Sequence, residues 1–257
     1  MKIAVLLKEI IDLVEELTIM DDGSGVERDY LMYKANEFDD FALEEALQLK
    51  AAGHSVDAYA IDGTEVDSLL HTAFARGAEN LFKVVSDEID VDAGVSSRVA
   101  AKAFYEAIKD KGYDLVMTGV QGVTDIDGPI SGHLSTLMNR PHMSVVVRVD
   151  PDGDNAVTCM KEFPGGALGE YTVQLPAVLG MQSARSPPGY LPIAKIRKAS
   201  KEATINEVSV SIGDLPLVSV TSASIPQTGK GAEMIEGDPA AQAAKLVEIF
   251  KSKGVLS

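Results

Sequence analysis

The chain has 257 residues, 46% hydrophobic and 24% charged, a composition suited to one globular α/β domain or one domain with a short appendage. A formal charge of −16 disfavours a nucleic-acid partner, since affinity for phosphate backbones comes largely from Lys and Arg; it suits dispersion in water or docking to basic protein surfaces. The lone Cys159 excludes an internal disulfide and Cys-rich metal sites, no apolar run approaches the roughly 20 residues of a membrane span, and the opening apolar stretch is too short for a secretory leader, so a cytoplasmic protein that does not span a membrane is expected.

The first 150 residues alternate short apolar runs with amphipathic stretches, the pattern of a mostly parallel sheet flanked by helices. Strands are expected at 3–7, 55–61, 80–85, 115–118 and 143–149. The helix at 39–52 places Phe41, Ala42, Ala46 and Leu49 near one face and stops at Gly53, while the pairs Asp39-Asp40 and Glu44-Glu45 are expected on its solvated face. Further helices are expected at 65–76, ending at Gly77, and at 95–111, with Val99, Ala103, Phe104 and Ile108 at helical spacing before Gly112. Repeated strand–helix units imply right-handed crossovers, and ligands of open sheets sit beyond the carboxyl ends of the strands. The loops after Leu7, Ile61 and Thr118 are therefore singled out.

From Pro151 the texture changes. A turn at 150–155 leads to segments 156–163 and 169–175 around Pro164-Gly165-Gly166, a β-hairpin that would extend the sheet antiparallel. Residues 183–199, with Pro187, Pro188, Gly189 and Pro192, read as a long loop. Residues 224–231 read as a linker, and 238–253 as a terminal helix capped by Asp238 with Pro239 at its first position. The expected division is a domain at 1–223 and a linker and helix at 224–257.

The segment most open to chemistry runs Thr118-Gly119-Val120-Gln121-Gly122-Val123-Thr124-Asp125-Ile126-Asp127-Gly128-Pro129-Ile130-Ser131. It leaves a buried strand, passes through glycines that would let a ligand approach the backbone, and enters a helix near Pro129. The free amides of that helix start could bind a nucleotide phosphate. Asp125 and Asp127 oppose this by charge, and Asp127 could instead cap the same helix. The loop matches neither a P-loop nor a dinucleotide fingerprint. His54, His71, His133 and His142 lack metal-ligand spacing, and no serine sits in a nucleophile elbow. No catalytic residue or metal site is expected, which points to binding or electron transfer.

Several separated segments resemble the beta subunit of electron transfer flavoproteins over nearly the whole chain. They are Ile3-Ala4-Val5-Leu6-Leu7-Lys8, the run opening Asn36-Glu37-Phe38-Asp39, Ala73-Phe74-Ala75-Arg76-Gly77-Ala78, residues 114–121, Gly165-Gly166, Leu175-Pro176-Ala177-Val178, residues 190–199 and Pro226-Gln227-Thr228-Gly229. The resemblance implies an adenine-nucleotide-binding, Rossmann-like α/β domain (adenine-nucleotide alpha-hydrolase-like) whose C-terminal arm reaches onto a larger alpha subunit. It implies AMP as a structural nucleotide near Leu6, Lys8, Asn36, Glu37, Phe38, Asp39, Ile61 and the loop from Gly119 to Ser131, with the redox FAD held mainly by the alpha subunit. Electrons would arrive from a flavin dehydrogenase, such as an acyl-CoA dehydrogenase, and leave to a membrane quinone oxidoreductase or another acceptor. A recognition loop would dock the dehydrogenase through Tyr190, Leu191, Pro192, Ile193 and Lys195, with Ile193 as the apolar anchor. Where the family commonly has polar side chains for the phosphate, this chain has Pro129, Ile130 and Ser131, which leaves backbone amides; the arginine usual before the recognition-loop tyrosine is Gly189. Two alternatives stay open. One is an electron-bifurcating subunit with a second FAD in the same pocket and an NADH site, and the other is a stand-alone adenine-nucleotide sensor.

Overall fold

The computed structural model describes residues 1–89, 95–123, 125, 127–215, 221–226, 229 and 231–256. In chain order its elements are β1 (Lys2–Leu7), β2 (Glu9–Ile11), β3 (Tyr33–Ala35), α1 (Glu37–Ala51), β4 (Ser55–Ile61), α2 (Val66–Arg76), β5 (Leu81–Val85), α3 (Ser97–Ile108), β6 (Leu115–Gly119), α4 (Ile130–Met138), β7 (His142–Asp152), β8 (Ala156–Phe163), β9 (Ala167–Gln174), β10 (Ala177–Met181), α5 (Ile193–Glu202), β11 (Ile205–Ser209) and α6 (Pro239–Ser252). The fold is α/β, as the alternating pattern predicts.

β1 is a near-continuous apolar strand because it is paired on both sides and covered on both faces. Its alternate residues serve two layers. Ile3, Val5 and Leu7 pack with Leu43, Ala46 and Leu49 of α1 and Leu70 of α2, whereas Ala4 and Leu6 pack with Phe104 and Ile108 of α3 and Leu134 of α4. The nine strands lie in the order β11-β5-β4-β1-β6-β10-β7-β8-β9, parallel as far as β7 and antiparallel through β8 and β9. The chain steps from β1 outward to β4 and β5, and α3 then returns it to β6 on the other side of β1. A crevice therefore opens at the carboxyl ends of β1 and β6, where the winding reverses.

The expected hairpin forms the antiparallel edge, and Gly165 and Gly166 take φ of 81° and 76° in its turn, a region that suits glycine. β10 and β11, by contrast, carry strand pairings that the sequence reading did not place. β10 lies inside the sheet between β6 and β7, and β11 completes the far edge against β5. β10 and β7 change register beside Val145, whose φ of 62° is a conformation that β-branched residues resist, so the bulge is imposed by its surroundings.

The structure corrects two further expectations. Residues 183–199 are not one long loop, because α5 begins at Ile193: Ile196 and Ala199 turn inward against α2, and Pro192 stands at the N-cap position. The acidic pairs of α1 are not a solvated face either. Asp39 and Glu45 fall on the buried side with Ala42, Leu43, Ala46 and Leu49, while Asp40 and Glu44 both bond the Arg76 guanidinium of α2.

After β11 the amide of Ala223 donates to the Gly23 carbonyl (2.7 Å), so this stretch lies against the excursion between β2 and β3. α6 has the expected cap, the Asp238 carboxylate accepting from the Ala241 amide at 2.8 Å, yet none of its residues is buried. Leu246, Val247 and Phe250 are exposed along it. Among the described residues no helix is long and apolar enough to cross a membrane.

Candidate functional site

The crevice between β1 and β6 is tied together by carboxylates that accept from backbone amides. Asp39, in the first turn of α1, accepts from the Lys8 amide at the end of β1 (2.8 Å) and from the Gly119 amide at the end of β6 (2.7 Å). One buried side chain thus pins the ends of two neighbouring strands to a helix start. Burial pushes the Asp39 carboxyl up to about 6; the nearby Lys8 ammonium and the two amides oppose that rise. Asn36, whose side chain makes no cap bond, donates to the Gln121 carbonyl at 3.0 Å and fastens the loop after β6.

Glycine is required here by the protein's own packing. A Cβ on Gly119 would stand 2.5 Å from Asp39 Oδ1, 2.6 Å from Phe38 Cβ and 2.8 Å from the Asp39 amide nitrogen, and one on Gly122 would stand 2.4 Å from Lys8 Nζ. These two glycines therefore make room for α1 and Lys8. Lys8 Nζ lies 2.6 Å and 2.7 Å from the Asp125 oxygens, and Asp125 also accepts from the Gly122 amide at 2.6 Å. The loop's first acid is neutralised from within.

The second acid acts at a distance. Asp127 does not cap the helix that follows it; its carboxylate accepts from the Ser97 and Arg98 amides (3.0 and 3.1 Å) at the start of α3, where Ser96 Oγ also accepts from the Val99 amide. Burial works against the Asp127 charge, but those amides hold its pKa below the usual carboxylate value. The amino end of α3 is thereby closed, and that of α4 is not: Pro129 occupies its N-cap position with no side-chain bond, so among the described residues the first-turn amides from Ile130 onward have no side-chain cap. The His133 ring donates from Nε2 to the Asp127 carbonyl (2.9 Å) and holds the approach to this helix.

Of the other residues expected at the site, Ile61 lines a cleft beside the crevice, between the ends of β1 and β4. Glu37, Gln121, Val123 and Pro129 are exposed, Phe38 is half-buried beside Gly119, and Gly128 takes φ of 104°. Val120 continues the sheet by donating to the Met181 carbonyl at 2.8 Å. Leu6, Ile130 and Ser131 turn their side chains into the interior, and Ser131 Oγ lies 3.1 Å from His142 Nε2, so only the backbone of Ile130 and Ser131 can face a ligand. Thr124 lies outside the described residues.

The cleft also takes in Glu9, Arg28, Tyr33, Asp62, Thr64 and Val95, none of which the sequence reading named. Only the rule that ligands sit beyond strand ends signalled Asp62 and Thr64. Arg28 and Tyr33 arrive through the excursion that closes on β3, which carried no motif. Glu9 accepts from the Glu65 amide at 2.6 Å, and burial raises its pKa, with the neighbouring charges of Glu65 and Asp62 adding to the rise.

A second feature lies in residues 183–202. Tyr190 and Ile193 are 89% and 66% exposed, Pro192 and Lys195 are exposed, and Leu191 is half-buried. The segment is anchored at its start. Glu45 is fully buried and accepts from the Val149 amide (2.8 Å), the Arg185 amide (3.0 Å) and the Arg185 guanidinium (2.7 Å), while Arg185 also reaches Asp150 at 3.2 Å. A bidentate, charge-assisted contact of this kind sets direction as well as position.

Fold and crevice together define a doubly wound α/β protein with an open helix amino end at its switch point. The electron transfer flavoprotein domain model matches residues 25–212. The chain is 31% identical to the electron transfer flavoprotein subunit beta of Methylophilus methylotrophus over 97% of this chain and 98% of that one. It is 25% identical to the Bacillus subtilis subunit beta over 98% of both chains, and 27% identical to the mitochondrial subunit beta of Arabidopsis thaliana over 86% of this chain and 89% of that one. The chain belongs to the electron transfer flavoprotein family, as a beta-type subunit.

Proposed function

We propose that the chain is the nucleotide-holding half of a cytoplasmic heterodimeric electron transfer flavoprotein, with AMP in the crevice between β1 and β6 and the redox FAD held mainly by an alpha subunit. The observation that carries the reading is the uncapped amino end of α4 beside two acids whose charges are already met, Asp125 by Lys8 and Asp127 by the start of α3. Phosphate would be bound by the backbone from Gly128 to Ser131, where amides and helix dipole favour an anion. Lys8, Asn36 and Asp39 would position the loop from Gly119 to Asp127 around the nucleotide, and Ile61 would flank the base. Thr124 belongs to the same proposed lining by its place in the sequence.

The flavin supplies the one- and two-electron chemistry, and the chain supplies orientation and electrostatics. Residues 1–223 would form the binding domain, and 224–257 the arm that lays α6 on the alpha subunit. Tyr190, Leu191, Pro192, Ile193 and Lys195 would receive a flavin dehydrogenase, with Ile193 as the anchor, and electrons would leave to a membrane quinone oxidoreductase or another acceptor. The exposed apolar face of α6 supports a partnered subunit over a stand-alone sensor.

Co-expression with the alpha subunit, followed by ligand extraction, tests the reading. One FAD and one AMP per heterodimer is the expected result. Two FAD would replace it with the electron-bifurcating alternative, and a stable monomer that binds an adenine nucleotide and no alpha subunit would favour the sensor.

A further inference from the structure

The run from Pro187 to Leu191 is held only at its two ends. Among the described residues these five make no hydrogen bond, so the direction in which exposed Tyr190 and Ile193 point is set where the run begins and where it stops. At its beginning the fully buried Glu45 of α1 accepts from the Arg185 amide (3.0 Å) and from Arg185 Nη2 (2.7 Å), which fixes the backbone and the side chain of one residue together. Val149 closes the ring, its amide donating to Glu45 at 2.8 Å and its carbonyl accepting from Arg185 Nη2. Gln48, three residues further along α1, stands 3.5 Å from Ser186 Oγ.

At the far end Ile196 and Ala199 of α5 pack against α2, and Arg76 ties α2 back to α1 by donating to Asp40 and Glu44. Both anchors therefore lead to one helix. Glu44 and Glu45, about 100° apart around it, serve one anchor each. The Val149 amide alone would fasten β7 to α1; the other donors to Glu45 all come from Arg185, at the edge of the run.

We infer that Glu45 and Arg185 are positioning residues for docking, and that their contact holds the run in the orientation that presents Ile193 to the dehydrogenase. The inference rests on the reading of residues 190–195 as the dehydrogenase-docking segment and adds what keeps that segment ready. A run loose at one end would have to be ordered on contact, and that lost entropy is subtracted from the affinity. A buried ion pair gives little net stability over an apolar substitute, whereas its directed bonds fix geometry. Neither residue touches a reacting group, so the effect falls on association and leaves electron transfer within the complex as it was.

The test follows reduction of the purified heterodimer by a purified acyl-CoA dehydrogenase. It compares wild type with Glu45→Gln, Arg185→Ala, their double variant, Arg185→Lys, Ile193→Ala and Ile108→Val. The last opens a small cavity in the layer on the other side of the sheet and controls for lost stability. Glu45→Gln and Arg185→Ala are each expected to raise the KM for the heterodimer about fivefold with kcat unchanged. The double variant should go no further than either single one, because both break the same contact. Arg185→Lys keeps the charge and the amide but loses the fork, and should raise KM about twofold; it decides the matter alone if the other two do not fold. Ile108→Val should keep the wild-type KM. Clasp variants with an unchanged KM overturn the inference, as does an equal rise in Ile108→Val; the docking reading survives both if Ile193→Ala still raises KM. An Ile193→Ala variant with wild-type KM, or a wild-type heterodimer that the dehydrogenase does not reduce, overturns the docking reading and the inference with it.

Discussion

The crevice floor and the strip from Tyr190 through α5 are both rich in charge, and they use it in opposite ways. In the crevice the acids are satisfied from within, buried Asp39 by two strand-end amides, and partly buried Asp125 and Asp127 by Lys8 and by the start of α3. Along α5 the cations are exposed, and among the described residues their one ion pair is Lys198 to Glu202. The difference teaches where each region's energy is spent. Charge in the crevice fixes the shape of a site, so changing it should cost stability; charge on α5 holds little of the chain in place, so changing it should leave stability nearly as it was.

The sharpest way to break this contrast is Gly119→Ala. The added carbon meets backbone and a buried carboxylate, neither of which can move without unpinning β1 from β6, so a loss of about 3 kcal/mol or more is expected in urea unfolding. A variant as stable as wild type would remove the crevice from the rigid part of the molecule.

Asp39 adds a pH dependence of similar size. Its folded pKa of about 6 lies above the 3.8 of an unexposed-to-neighbours reference carboxyl, so the folded state holds the proton more tightly. The resulting stabilisation is complete below the lower value and fades as pH climbs through the upper one, by about 3 kcal/mol in all. Unfolding midpoints measured from about pH 4 to about pH 7 should fall for wild type relative to Asp39→Asn, and parallel curves would rule out the shift.

Glu45→Gln should cost about 2 kcal/mol, below the usual figure for a broken buried pair because Arg185 is partly open to water. It should also loosen the segment leading to Ile193, read as faster amide exchange at residues 183–192. Gly122→Ala is milder, about 1 kcal/mol, because the added carbon meets the far end of a flexible lysine. The smallest effect belongs to α6: Phe250→Ser should shift the stability of the isolated chain by under about 0.5 kcal/mol while weakening its association with an alpha subunit. A larger loss in the isolated chain would mean that α6 packs on its own body.

Much of this was legible beforehand, for reasons that are local. Apolar runs, glycine stops after α1 and α2, the Pro164-Gly165-Gly166 turn and the Asp238-Pro239 helix start each act within a few residues, so strand, hairpin and cap can be recognised from neighbours alone. α5 is hard to read from the sequence because the prolines at 187, 188 and 192 have the texture of a loop and leave only the Ile196 and Ala199 spacing as a helical signal. β11 escaped because only β5, more than a hundred residues earlier, gives it a partner. In the site, the strand-end rule and the resemblance point to the loops after Leu7, Ile61 and Thr118, while the hydrogen-bonding roles of their residues follow from neither.

What the amino-acid order determined by itself was most of the elements and the family, since periodicity, turns and matched segments are properties of the linear chain. What only the tertiary structure decided was the fate of the charges. Asp39 is held by Gly119 across 80 positions, Glu45 by Arg185 across 140, and Asp127 serves a helix 29 to 30 residues before it. A carboxylate can be buried only where donors converge on it, and donors so far apart in sequence are brought together by the sheet that lies between them.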